Sequence, residues 1–95
     1  MTAEATRAER AVTVCNTRGL HARASARFVA EARAFSSVVT LSKDGEEVRA
    51  DSIMELLMLA AGPGSRLVIR AEGEDAEAAV EALGALVECG FDETD

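Results

Sequence analysis

A chain of 95 residues with two cysteines, no Trp and no Tyr suffices for one domain with an aliphatic core, and does not suit a disulfide-dense secreted scaffold. Its formal net charge is −7, yet ten Lys/Arg and eight Asp/Glu fall in residues 1–70, while residues 71–95 hold nine Asp/Glu and no Lys/Arg. That balance, with aromatics at 3%, argues against bulk binding of nucleic acid, which needs many cations interleaved with stacking rings. There is no signal-peptide pattern and no long apolar run, so no membrane insertion and a cytoplasmic location are expected.

Residues 1–9 have helix-compatible composition without an apolar face and read as a flexible leader. The folded domain is expected over 10–90, with 91–95 as a polar tail. Ala11-Val-Thr-Val-Cys15 alternates and predicts a first strand with Val12 and Val14 on one face. Asn16 to Gly19 breaks the pattern as a loop. From Ala22 the period changes: Ala24, Phe28, Ala32 and Phe35 recur at helical spacing, with Arg23, Arg27 and Glu31 off the stripe. Val38 to Ser42 predicts a second strand, Asp44-Gly45 a hairpin turn, and Glu47 to Ala50 a short, charged edge strand. Asp51 to Leu59 predicts a second helix, Gly62-Pro-Gly64 a turn, and Arg66 to Arg70 a fourth strand. Asp75 to Glu88 predicts a last helix, with Ala76, Ala79, Val80, Leu83, Leu86 and Val87 on one face and Gly90 as its stop. The order β-α-β-β-α-β-α predicts an α+β open-faced sandwich, a four-stranded, mostly antiparallel sheet with three helices on one face.

The chemistry concentrates in residues 16–28. His21 is the only histidine, it follows a turn glycine at the mouth of the first helix, and Arg18, Arg23 and Arg27 flank it. No acidic residue lies between Arg10 and Ala30. A lone histidine is commonly a helix cap or a hydrogen-bonded surface group. Here Gly19 lets residue 21 sit at the N-cap, where unpaired amides and the helix dipole favour an anion and the arginines add donors. A phosphoryl group carried on His21 satisfies all of these features.

The segments Gly19-Leu-His-Ala-Arg23, Phe28-Val29, Asp51-Ser-Ile-Met54 and Ala71-Glu-Gly-Glu-Asp75 resemble the HPr family, the histidine-containing phosphocarriers of the phosphoenolpyruvate-dependent phosphotransferase system. The resemblance runs from about Arg10 to Glu88 in the family's order of elements. It implies that His21 takes a phosphoryl group on Nδ1 from phosphorylated enzyme I and gives it to an enzyme IIA, with Arg23 orienting and neutralising the group. One departure stands out: Ala24 occupies the place after the arginine where the family commonly has proline, which implies a slightly softer helix start.

Ser52-Ile-Met-Glu55 fits a capping box, so Ser52 reads first as a helix cap. The resemblance adds regulatory phosphorylation of Ser52 by an HPr kinase/phosphorylase. The short second helix has more apolar residues than one buried stripe accommodates. By resemblance, Ile53, Met54 and Leu57, with Ala22 and Arg27, would meet partner proteins. One His and two distant Cys cannot supply a tetrahedral metal site, and no cofactor is implied. The carrier is expected to be a monomer, a protein substrate in a relay rather than an enzyme. The rival is a regulatory HPr-like binding protein working mainly through Ser52 in a nitrogen-related or catabolite-control branch, which would take no phosphoryl group on His21.

Overall fold

The alternating segments become strands and the period-3.6 segments helices in a computed structural model of the chain, which describes residues 6–93. The elements are β1 (Arg7–Thr13), α1 (Ala22–Ala32), β2 (Val38–Lys43), β3 (Glu46–Arg49), α2 (Ile53–Met58), β4 (Arg66–Glu72) and α3 (Ala76–Glu88), closed by a 3-10 turn at Gly90–Asp92. The sheet order is β1-β4-β2-β3 and every neighbouring pair is antiparallel. The α+β open-faced sandwich expected from the pattern is therefore the fold observed.

The two faces of the sheet differ in chemistry. Val12, Val39, Leu41, Leu67, Ile69 and Ala71 are buried on the helix side, where Phe28, Leu56 and Leu83 meet them in one core. Each such large side chain contributes on the order of 1.5–3 kcal/mol by leaving water. The opposite face carries a polar lattice: Arg70 bridges Glu9 of β1 and Glu47 of β3, Thr40 donates to the same Glu47, and Arg7 pairs with Glu72. The β2–β3 hairpin turns at Asp44 and Gly45, both at positive φ (51° and 86°), as Asp-Gly demands.

Two boundaries differ from expectation. β1 starts at Arg7, so residues 7–9, read from sequence as leader, pair with β4 through Arg7↔Glu72 and Glu9↔Arg70; residues 1–5 of that leader lie outside the described residues. The alternation was hidden because the inward position beside α3 is filled by Arg10. Its guanidinium reaches Glu88 at 2.6 Å and lies so close over Gly84 that a Cβ there would sit 2.7 Å from Arg10 Cδ. A charged head on an apolar stem passes across a glycine gap in the helix. At the other end, residue 91 does not begin a polar tail. Phe91 is only 2% exposed and belongs to the core; residues 94–95 lie outside the described residues. Among the described residues no helix is long and apolar enough to cross a membrane.

Candidate functional site

The loop between β1 and α1 is fixed before His21 is reached. Asn16 O accepts from Gly19 N at 3.2 Å to close a turn, and Gly19 sits at φ 64°. A Cβ on Gly19 would lie 2.4 Å from Ala61 O, so only glycine allows the loop to press against the segment leading from α2 to β4. Leu20 N donates to Ala61 O at 2.8 Å, the Leu20 side chain is buried, and Ser25 Oγ donates to Leu20 O. His21 therefore enters the helix from a clamped backbone.

His21 is the N-cap of α1, with extended backbone (φ −78°, ψ −176°), and its Nδ1 accepts from Arg23 N at 3.3 Å. It does with a ring nitrogen what Ser or Asp does with an oxygen. Because Nδ1 accepts, the ring proton resides on Nε2, and Nε2 meets the Glu93 carboxylate. The ring is 22% exposed. The nitrogen lone pair thus faces the start of a helix, beside the first-turn amides of Ala22, Arg23 and Ala24, which have no intrahelical acceptor. An open cleft of about 370 Å³ is lined by Arg18, Arg23, Arg27 and the 91–93 segment, whose Glu93 meets the His21 ring. Arg18 and Arg23 make no ion pair among the described residues, whereas Arg27 is tied to Asp92 at 2.9 Å.

The last turn supplies what the sequence reading missed. Phe91 and Asp92 both take left-handed backbone (φ 57° and 60°), which turns the chain back so that Glu93 reaches His21. Asn16 Nδ2 donates to both Gly19 O and Glu93 Oε1, each at 2.8 Å, leaving its buried Oδ1 without a hydrogen-bond partner among the described residues. One signal was available. An apolar Phe directly after the helix-stopping Gly90 is the pattern in which the residue beyond a helix end packs back onto it.

The second helix begins as a cap predicts: Ser52 is its N-cap and accepts from Glu55 N at 3.3 Å. Of the residues expected to meet partners, Ala22 and Arg27 are exposed, Ile53 and Met54 are 40% and 69% exposed, and Leu57 is half-buried. Leu56 alone of this helix is fully buried, and Met58 is 75% exposed, more than any of the three. The helix α2 packs beside α1. Both cysteines are free and exposed, and each thiol lies on main-chain carbonyls near the end of α3. Among the described residues no group of three His, Cys, Asp or Glu is placed to hold a metal ion.

The family profile described as the phosphorylation site of the phosphotransferase system's HPr component matches residues 8–89. The chain belongs to the HPr family of phosphocarrier proteins of the phosphotransferase system. It is 46% identical over 85 residues to phosphocarrier protein HPr of Xylella fastidiosa, covering 90% of this chain and 96% of that one. It is 41% identical over 88 residues to phosphocarrier protein NPr of Shewanella violacea, covering 93% and 97%. The crystal structure of HPr-C-His from Thermoanaerobacter tengcongensis superposes with a TM-score of 0.88 at 40% identity, covering 93% of this chain and 99% of that one.

Proposed function

We propose that this protein accepts a phosphoryl group on His21 Nδ1 from phosphorylated enzyme I and hands it to an enzyme IIA. One observation carries the reading: the unprotonated ring nitrogen is the capping atom of α1, so the nucleophile already faces helix-start donors. The lone pair of Nδ1 attacks phosphorus, the bond to the donor breaks, and the donor keeps the electron pair. The Arg23 amide, released from Nδ1, turns to a phosphoryl oxygen, and the Arg23 guanidinium offsets the added negative charge. The helix terminus adds roughly 0.3–1 kcal/mol of attraction for the anion. A carrier needs nothing stronger, since it must release what it binds.

Ile53, Met54 and Leu57, with Ala22 and Arg27, form the surface for partners in this proposal, and flexible methionines suit a face that meets more than one protein. A single copy presents this face, so the working unit is a monomer. The free thiols agree with a cytoplasmic setting. Ser52 is the regulatory position, read by an HPr kinase/phosphorylase: a phosphate there would meet the first-turn amides of α2 and set a dianion beside the exposed apolar Ile53 and Met54, where docking would have to desolvate it. Ser52→Asp should then accept phosphoryl from enzyme I more slowly than wild type, and an unchanged rate would remove Ser52 from the scheme.

The deciding experiment is incubation with phosphoenolpyruvate and enzyme I, followed by intact mass before and after acid. One added phosphoryl group, lost in acid and absent in His21→Ala, is the expected result. No mass gain in the wild-type protein refutes the proposal.

A further inference from the structure

Resting on that reading, we infer that Glu93 is a positioning residue for phosphoryl transfer, holding the ring proton on Nε2 so that Nδ1 stays the nucleophile. Two contacts and one anchor place it. Its carboxylate meets His21 Nε2, Asn16 Nδ2 donates to its second oxygen at 2.8 Å, and buried Phe91 anchors the turn that delivers it. The Glu93 side chain is 14% exposed, so little water competes for the contact. After Gly90, itself at φ 67°, the segment accepts two non-glycine residues in left-handed backbone to reach this position, a conformation that persists only where surrounding contacts over-determine it. Asn16 also holds Gly19 O, so the same side chain ties the carboxylate to the loop that carries the histidine.

The chemistry follows from where the proton sits. An imidazole with hydrogen on Nε2 and a carboxylate behind it is oriented in one tautomer and has its far nitrogen enriched in electron density, the role an acid plays behind a catalytic or metal-binding histidine. When Nδ1 forms its bond to phosphorus and the donor leaves with its electron pair, the ring still holds its Nε2 proton and becomes cationic. Glu93 balances that charge across the Nε2–H bond. On transfer to an acceptor the N–P electron pair returns to Nδ1, the ring is neutral again, and no proton has left the site. Asp92 acts beside it by drawing Arg27 to the rim of the same cleft at 2.9 Å.

The test uses the full chain with Glu93→Ala and Glu93→Gln, measuring steady-state acceptance from phosphorylated enzyme I and the ring-proton NMR signal of His21. Glu93→Ala should lower kcat about tenfold, the low end for loss of a histidine's orienting partner, with KM changed less than about twofold. The hydrogen-bonded Nε2–H resonance should vanish with it. Glu93→Gln, whose amide oxygen still accepts from Nε2–H, should restore the resonance and part of kcat. Wild-type kcat in Glu93→Ala, or an effect confined to KM, would overturn the role given to Glu93 while leaving the carrier reading intact. Failure of the wild-type protein itself to take up phosphoryl would overturn both.

Discussion

Phe91→Ala asks whether the last turn is part of the folded unit. Phe91 is 2% exposed, and truncating a buried phenylalanine to alanine costs about 3–5 kcal/mol. The segment can peel away instead of leaving a void, so the expected loss is at the low end, about 3 kcal/mol. With a slope of about 1–3 kcal/mol per molar for a small domain, the urea midpoint should fall by roughly 1–3 M with the slope unchanged. The backbone provides an internal control. At φ 57° a non-glycine residue carries roughly 1–2 kcal/mol of strain, so Phe91→Gly, which relieves it, should be no more than a few tenths of a kcal/mol worse than Phe91→Ala despite glycine's greater freedom when unfolded. Far-UV circular dichroism against urea measures both. A loss below about 1 kcal/mol for Phe91→Ala would show that the ring is not docked. A glycine variant much weaker than the alanine one would show that the turn is not left-handed.

Asp75 accepts from the Ser37 hydroxyl and from the amides of Ser36 and Ser37, and these bonds, the Ser37 hydroxyl first, hold its carboxyl below the usual range. The unfolded chain then binds the proton more readily, so this contribution is complete above the ordinary aspartate value of about 4 and is lost as pH falls through the folded value. The gap in thermal midpoint between wild type and Asp75→Asn should therefore narrow on acidification; a gap independent of pH contradicts the assignment. Met54→Glu should change stability by no more than about 0.5 kcal/mol, because the side chain is 69% exposed, while weakening enzyme I binding in a titration. Unfolding of this variant would place Met54 in the core. Gly19→Ala puts a Cβ against Ala61 O at a left-handed position and should cost about 2 kcal/mol or more, together with slower phosphoryl acceptance; wild-type behaviour in both would show that the loop is not clamped.

The order of elements and the placing of His21 were legible because each rests on local signals. Period-two and period-3.6 apolar spacing, an Asp-Gly turn and a glycine before a cap are all read within a few residues. Arg10 was not legible: nothing near it announces that Gly84, 74 positions on, opens a groove for its stem. Local alternation therefore marks the strand only from Ala11, whereas β1 begins at Arg7. Glu93 escaped for the same reason. Its meaning lies in His21, 72 residues earlier, and a run of Asp and Glu in an acidic segment looks like solvated surface until the fold brings it home. The exposure of Met58 beside the half-buried Leu57 depends on the rotation of a six-residue helix, which so short a stretch cannot define.

The sheet order has a consequence for the chain during synthesis. β4 fills the space between β1 and β2, so a nascent chain that has emerged only as far as α2 has two separated halves of a sheet and no centre. The histidine loop waits for Ala61, and the histidine itself for Glu93. Such a topology, dominated by pairings distant in sequence, assembles late and as a unit. A ribosome-bound fragment that stops short of β4 and the 91–93 turn therefore carries the His21 ring without the Ala61 clamp or the Glu93 carboxylate that hold it in the folded chain.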